Sequence, residues 1–248
     1  MRITLLGTNG WYDTPTGNTP CVLIQARDFD IILDAGYGFS KLDAYLEPGK
    51  PAMIFLSHFH LDHLIGLHTL AKFNFPGGLH IYAQTGARDA LNTLLSPVFT
   101  VPFSRLKFPL TIHELNEGVH SHPLPFTTLP LIHSVPCLGY RFEVDGRTVT
   151  YCTDTGYCEN AVLLAQDADL LLTECSLSPG TDSDPGWPHL NPHLAAKIAR
   201  ESGAKRLVLT HFDPYRYTGL NDRDDAEAEA RSLFPMTTAG RDGMVFTL

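Results

Sequence analysis

A cluster of potential metal ligands lies in the first quarter of the chain. The stretch SHFHLDH, residues 57–63, contains three histidines and one aspartate. Neutral imidazoles and carboxylates are ligands that zinc and similar divalent ions accept. His58 and His60 are two positions apart, so on extended backbone both side chains point the same way and can reach one ion. Asp62 and His63 are adjacent and could serve a second ion. The alternative is a solvated histidine-rich patch, and we favour the metal site.

A pair of ions needs further ligands, and the chain offers three where predicted strands end. His133 follows an apolar run, Asp154 ends an alternating strand, and His211 follows a buried strand. The first cluster also follows a short apolar strand, MIFLS. Because strand ends can converge at one edge of a sheet, we expect these residues to complete the site.

The elements that must position these residues follow a recognisable order. The stretch 139–154 predicts a hairpin with Asp145-Gly146 at its turn. NPHLAAKIARESGA predicts a helix with Pro192 near its start and Gly203 at its end. Strands come first and strands alternating with helices follow, which favours the α/β (α+β) class with mixed sheets covered by helices. No linker divides the chain, so we expect one domain over residues 1–248.

The segment between residues 64 and 130 gives a weaker pattern. LIGLHTLAKF has the apolar spacing of a helix, LHIYA predicts a strand, and ARDALNTLL predicts a helix. The proline-containing stretch 97–110 predicts a loop packed by aromatic side chains. We expect Phe99, Phe103 and Phe108 to belong to the core.

Composition excludes several classes of protein. The formal net charge is −9 and no segment concentrates lysine or arginine, which argues against a general polyanion binder. The five cysteines are odd in number and form no CxxC pair, so we expect no disulfide framework. The N-terminus does not resemble a signal peptide, and no apolar run would span a bilayer. These features predict a cytoplasmic protein without a membrane partner.

The successive motifs resemble those of a known superfamily. SHFHLDH, LIHSVPCLGYRFE, YCTDTG and LVLTHFDPYRY are similar to motifs of the metallo-β-lactamase superfamily, and more narrowly of its ribonuclease Z and phosphodiesterase branch. The resemblance runs from LLGTNG to DGMVFTL, essentially the whole chain. It implies a metallo-β-lactamase fold, a four-layer αββα sandwich of two mixed β-sheets covered by helices.

The resemblance also implies ligand roles. Two divalent ions would share Asp154 and a metal-bridging hydroxide. Each ion would have three further ligands: His58, His60 and His133 for one, and Asp62, His63 and His211 for the other. Zinc is the expected metal, with manganese or iron as alternatives. Asp34 resembles an early aspartate that orients a ligand histidine, or is a turn residue before Gly36.

Catalytic roles are implied for Asp62, Glu174 and His189. TECS and WPHLNPHLAAKIA resemble segments of the ribonuclease Z branch in which a glutamate and a histidine help to protonate the leaving oxygen. The alternatives are a capping role for Glu174 and a helix-entry role for His189. Trp187 either forms part of the pocket wall or packs as a structural anchor.

The sequence differs from ribonuclease Z at one point that limits the range of expected substrates. That family places a long tRNA-gripping arm between its GYRF motif and the bridging aspartate, whereas only a tight hairpin separates Phe142 from Asp154 here. The negative net charge also argues against a tRNA substrate, because contacts to phosphates dominate the affinity of proteins for nucleic acids. We therefore predict a binuclear metal-dependent hydrolase, a phosphodiesterase acting on a small phosphodiester, a cyclic nucleotide or a nucleotide-like fragment.

Four alternatives stay open. They are an RNA-processing endonuclease without the arm, a hydrolase of a thioester or lactone, a di-iron redox protein and a metal-loaded binding module. The redox relatives place a carboxylate where His60 stands. The oligomeric state is open. Five other histidines match no motif, and we expect structural or surface roles for them: His68, His80, His113, His120 and His122.

Overall fold

Two mixed seven-stranded sheets form the centre of the protein in the computed structural model, which describes residues 1–248. The first sheet contains, from edge to edge, β14 (Val245–Thr247), β1 (Arg2–Gly7), β2 (Cys21–Gln25), β3 (Asp30–Leu33), β4 (Ala52–Phe55), β5 (Leu79–Gln84) and β6 (Leu110–Leu115). Pairing is antiparallel from β14 to β3 and parallel from β3 to β6.

The second sheet repeats this plan. It contains, from edge to edge, β13 (Thr237–Ala239), β12 (Leu207–Thr210), β11 (Leu170–Glu174), β10 (Arg147–Cys152), β9 (Leu138–Val144), β8 (Phe126–Pro130) and β7 (Gly118–His120). Pairing is antiparallel from β7 to β10 and parallel from β10 to β13. Each sheet therefore has a parallel half, in which the carboxyl ends of successive strands meet at one edge.

Helices cover the outer faces of both sheets. The α-helices are α1 (Ala87–Leu94), α2 (Glu159–Leu164), α3 (Pro192–Ser202) and α4 (Leu220–Leu233). The 3₁₀ segments are Tyr37–Ala44, Leu61–His63, Ile65–Lys72 and Phe103–Arg105. None of the helices is long and apolar enough to cross a bilayer.

Three apolar cores separate the layers. Between the sheets, the ring of Phe55 on β4 packs edge-on against Phe126 and Phe142 of the opposite sheet. The 3₁₀ segments and α1 cover the outer face of the first sheet, while α2, α3 and α4 cover that of the second. The predicted α/β class and four-layer αββα arrangement are confirmed. All five cysteines are buried and free, as expected.

The local turn and cap predictions are also confirmed. Asp145 and Gly146 both have positive φ, 52° and 71°, which is the backbone that a two-residue type I′ hairpin requires. Helix α3 has Pro192 at its first position, and the Asn191 side chain accepts a hydrogen bond from the Leu194 amide. Gly203 ends this helix with φ 69°.

Three features of the segment 64–130 differ from expectation. The predicted helix over 64–73 is the 3₁₀ segment Ile65–Lys72. Its Gly66 lies against backbone, and a Cβ there would be 2.1 Å from the Gly36 carbonyl oxygen. Strands β6, β7 and β8 were not predicted, since β6 and β7 are short or half-exposed and lack clear alternation. Phe108 is buried and Phe103 packs partly against the core, but Phe99 is 69% exposed.

Candidate metal centre and adjoining cleft

Residues that leave the strands at one end of both sheets converge on a single site. Asp34 follows β3, Asp154 lies just beyond β10, and His211 follows β12. Each has left-handed backbone, with φ of 54°, 54° and 53°. This conformation turns the chain sharply where the strand ends, and Asp and His tolerate it better than most residues do. The concentration of strained backbone at one place is typical of a functional site.

Three histidines form a first ligand group. The rings of His58, His60 and His133 have centroids 4.6–5.0 Å apart. His60 Nδ1 is 3.3 Å from His133 Nε2. Asp154 Oδ2 lies 3.6 Å from His58 Nε2 and 3.7 Å from His133 Nε2. Four donor atoms thus surround one point.

A second ligand group lies on the other side of Asp154. His63 Nε2 is 3.1 Å from His211 Nε2, and Asp62 Oδ2 is 3.4 Å and 3.3 Å from these two nitrogens. Asp154 Oδ1 lies 2.9 Å from His211 Nε2 and 3.4 Å from His63 Nε2. Although adjacent in sequence, Asp62 and His63 face the same point because the chain makes a 3₁₀ turn over Leu61–His63.

All seven residues predicted as ligands are therefore brought together. The two carboxylate oxygens of Asp154 face different groups, which is the placement expected of a bridging ligand. Their binding of metal stays a prediction, but their proximity is a feature of the fold.

A buried carboxylate orients one histidine in each group. Asp34 Oδ2 lies 2.8 Å from His63 Nδ1 and accepts hydrogen bonds from the Tyr151 hydroxyl and the Ser57 hydroxyl, both at 2.8 Å. Because the Ser57 hydroxyl donates to Asp34, its oxygen accepts from His58 Nδ1, 3.0 Å away. Both imidazoles then donate a hydrogen bond from Nδ1, which directs Nε2 of each ring toward the site, where it could bind a cation.

Ser176 does the same for His211. Its hydroxyl donates to the His211 carbonyl oxygen at 2.9 Å and accepts from His211 Nδ1 at 3.0 Å. Sequence reasoning missed Ser57, Ser176 and Tyr151. All three lie inside quoted motifs: Ser57 in SHFHLDH, Ser176 in TECS and Tyr151 in YCTDTG.

The donor atoms fit divalent metal ions. His58 Nε2 is buried and has no hydrogen-bond partner, which is unfavourable unless a cation or water lies beside it. With zinc–nitrogen bonds of about 2.0–2.1 Å, ligand atoms at the corners of a tetrahedron are about 3.4 Å apart. The separations within both groups, 2.9–3.7 Å, bracket this distance.

The electrostatics of the two groups differ. In the first, burial prevails and lowers the pKa of His58, His60 and His133, so these imidazoles are neutral and able to bind a cation. In the second, burial also opposes charge, but Asp154 outweighs it and raises the pKa of His211 to about 10. The pKa of the Asp62 carboxyl lies far below its usual range because His63 and His211 outweigh its burial. The second group therefore attracts positive charge strongly.

Glu174 and His189 form a pair beside the ligands. His189 Nδ1 lies 2.8 Å from Glu174 Oε1, and the backbone amides of Thr155, Ser176 and Leu190 donate to the same carboxylate. Burial lowers the pKa of His189, but Glu174 outweighs it and the net shift is upward. The His189 ring is 5.4 Å from that of His133. Glu174 thus holds His189 rather than capping a helix.

An open cleft of about 770 Å³ leads to this site. Its walls include the residues Trp11 and Trp187, which are 68% and 53% exposed. The Trp11 backbone amide donates to Asp62 Oδ2 at 2.8 Å, so the loop after β1 contacts the second group directly. Sequence reasoning missed this contact. The five histidines expected to have other roles lie outside both ligand groups.

Comparisons with known proteins agree with this geometry. A family model described as the beta-lactamase superfamily domain matches residues 30–212. The ribonuclease Z of Synechococcus sp. (strain CC9311) is 30% identical, and the alignment covers 98% of this chain and 97% of that protein. The probable metallo-hydrolase YhfI of Bacillus subtilis is 27% identical, with 94% of each chain covered. The crystal structure of YhfI superposes with a TM-score of 0.82 at 26% identity, covering 99% of this chain and 98% of that one.

The chain belongs to the metallo-β-lactamase superfamily. Within it, the chain falls in the ribonuclease Z-like branch, as its motifs predicted. The expectation of a metal-dependent hydrolase is confirmed at the level of this class.

Proposed function

We propose that the protein is a binuclear metal-dependent phosphodiesterase that hydrolyses a small phosphodiester, such as a cyclic nucleotide or a nucleotide-like fragment. The observation that carries the proposal is the division of Asp154 between two ligand groups at the floor of an open cleft. Phosphodiester hydrolysis is a reaction for which two neighbouring cations are well suited.

The seven clustered side chains would hold the ions, zinc in the first instance and manganese or iron as alternatives. His58, His60 and His133 belong to one ion, Asp62, His63 and His211 to the other, and Asp154 to both. When bound, the ions supply positive charge and Lewis acidity for displacement at phosphorus.

The chain's own residues would manage the proton of the leaving group. A departing alkoxide must be protonated or stabilised by charge. Glu174 keeps His189 oriented through Nδ1 and favours its protonated form. His189 is then a proton donor at the cleft wall. Asp62 would act as a metal ligand next to the substrate phosphate. The hydrogen bond from the Trp11 amide fixes the position of its carboxylate.

Two observations favour a small substrate. The turn between β9 and β10 consists of Asp145 and Gly146, which leaves no place for an arm between Phe142 and Asp154. The alignment with the Synechococcus ribonuclease Z extends over 313 positions, more than this chain contains, whereas that with YhfI extends over 244. The ribonuclease therefore has segments that this chain lacks.

A second candidate is an RNA-processing endonuclease. It is favoured by the names of related proteins, which include ribonuclease Z and, at 28% identity, the ribonuclease BN of Cronobacter sakazakii. Such an activity would depend strongly on salt, because it requires contacts to several phosphates.

A substrate panel distinguishes the candidates. Metal-loaded wild type and His189→Ala would be compared on bis(p-nitrophenyl) phosphate, cyclic nucleotides and a tRNA precursor. We expect turnover of the small esters, none of the precursor, and a kcat for His189→Ala lower by about 100-fold. His193→Ala is the matched control, because His193 is exposed on α3. Cleavage of the precursor alone would favour the second candidate, and no turnover by fully loaded wild type would reject both.

A further inference from the structure

Trp187 has an exposed aromatic face beside the metal ligands. One face of its indole stacks on His60, with ring centroids 5.7 Å apart and planes 16° apart. Its ring also lies 5.8 Å from that of His133. Trp187 lines the cleft and is 53% exposed, so much of the side chain remains accessible to a ligand there. A packing anchor would be buried, so packing alone does not account for this position.

The backbone holds Trp187 in place. Asp184 to Trp187 form a turn in which the Trp187 amide donates to the Asp184 carbonyl at 3.0 Å. The Asp184 carboxylate accepts a hydrogen bond from the Gly186 amide at 2.8 Å. The His189 amide donates to the Ser183 hydroxyl at 3.2 Å. An aromatic surface that is already ordered can bind a flat ring without a large loss of conformational entropy.

The charge of the same cleft limits the kind of ligand. Asp182 and Asp184 lie exposed on its rim. Its one arginine, Arg216, has Nε 3.4 Å from the Asp213 carboxylate, which offsets its charge. A nucleic-acid strand carries one negative charge for each phosphate and is repelled by such a rim. A ligand with a single phosphate avoids most of this repulsion.

We infer that Trp187 is a specificity-determining residue that stacks on the base of a mononucleoside phosphodiester, while the acidic rim disfavours longer strands. This inference rests on the proposed function, because it names the substrate class of the same cleft. Stacking of a base on an aromatic side chain is strong enough to dominate selection among small esters.

Ligand binding tests the inference without requiring turnover. Isothermal titration of the protein as purified with its metals would compare thymidine 5′-monophosphate with methyl phosphate, which lacks the nucleoside. We expect wild type to prefer the nucleotide and Trp187→Ala to lose about ten-fold in nucleotide affinity. Trp187→Phe should retain most of it. Phe99→Ala, which removes an exposed aromatic ring outside the cleft, is the matched control.

Several results would overturn the inference. They are equal nucleotide affinity of wild type and Trp187→Ala, no preference of wild type for the nucleotide over methyl phosphate, and tighter binding of a thymidine decamer than of the mononucleotide at about 0.15 M salt. Hydrolysis of the p-nitrophenyl ester of the nucleotide is measured separately. Trp187-dependent binding without hydrolysis would reject the proposed function and leave the binding site standing.

Discussion

At the scale of single residues, the geometry of the two ligand groups depends on side chains outside those groups. Asp34 contacts His63 directly and reaches His58 through the Ser57 hydroxyl. One carboxylate therefore orients a histidine in each ligand group. Sequence motifs predicted the ligands and Asp34, since both belong to short local patterns. They did not predict Tyr151, which meets Asp34 only because the two sheets pack face to face.

The Asp34 network predicts a change in metal affinity. Asp34→Asn removes the charge that orients His63, and we expect metal binding to weaken by about 10- to 100-fold. Competition with a chromogenic chelator would measure it. Asp43→Asn, at an exposed carboxylate paired with Lys72, is the control and should bind as wild type does. Unchanged affinity of Asp34→Asn would show that this hydrogen bond does not support the ligands.

The pair of Glu174 and His189 predicts a shift in pH dependence. Glu174 raises the pKa of His189 against the effect of burial, so the protonated donor persists to higher pH and is lost only as pH rises through that pKa. Glu174→Gln removes the charge, and the descending alkaline limb of kcat against pH should move to lower pH. A limb that stays in place while the rate falls uniformly would assign Glu174 a structural role. Circular dichroism would check that the variant is folded.

At the scale of elements, the site depends on loops fixed by distant contacts. Arg223 on α4 is fully buried. It donates to the Thr8 hydroxyl and the Gly240 carbonyl, both at 2.8 Å, and to the Asn9 side chain. Asn9 in turn donates to the Gly17 carbonyl at 2.8 Å, which shapes the loop that carries Trp11 to Asp62. The strand exits were predictable from local patterns, but this network joins residues more than 200 positions apart and gives no local signal.

Loss of the Arg223 network predicts a large destabilisation. Burial lowers the pKa of Arg223 to about 10, so its side chain is still charged at neutral pH. Arg223→Leu leaves several buried acceptors without donors, and we expect the free energy of unfolding to fall by about 2–4 kcal/mol. Urea denaturation would measure this. The ion pair between the half-exposed Arg147 and Asp169 offers the comparison, since Arg147→Leu should change stability by less than about 1 kcal/mol. Similar losses in both variants would contradict the assigned role.

At the scale of the whole molecule, both sheets contribute to one core and one site. The layer between them contains side chains from each, such as Ile3 and Leu33 from the first and Tyr140 and Leu172 from the second. The ligands follow the same division, because His58 lies beyond β4 and His211 beyond β12. We propose that residues 1–248 form a single domain. The order of the four layers could be predicted from the resemblance to the superfamily. The register of strand pairing and the short edge strands could not, because they depend on contacts between segments that are distant in the sequence.

The single-domain proposal predicts cooperative unfolding that metal removal weakens. Calorimetry should show one thermal transition, and dialysis against a chelator should lower its midpoint, because ions that bind only the folded chain stabilise it. A return of the midpoint on adding back zinc is the control. Two separate transitions would contradict a single domain, and a midpoint indifferent to the chelator would contradict metal binding by the folded chain.

The central claim is that two ligand groups sharing Asp154 hold two metal ions, and metal content tests it most directly. Elemental analysis of protein purified without chelator should give two transition-metal ions per chain. Asp154→Asn keeps the shape of the side chain and tolerates left-handed backbone, but weakens the shared ligand, and should hold at most one ion. Absence of transition metal from the wild type, or two ions in the variant, would contradict the account.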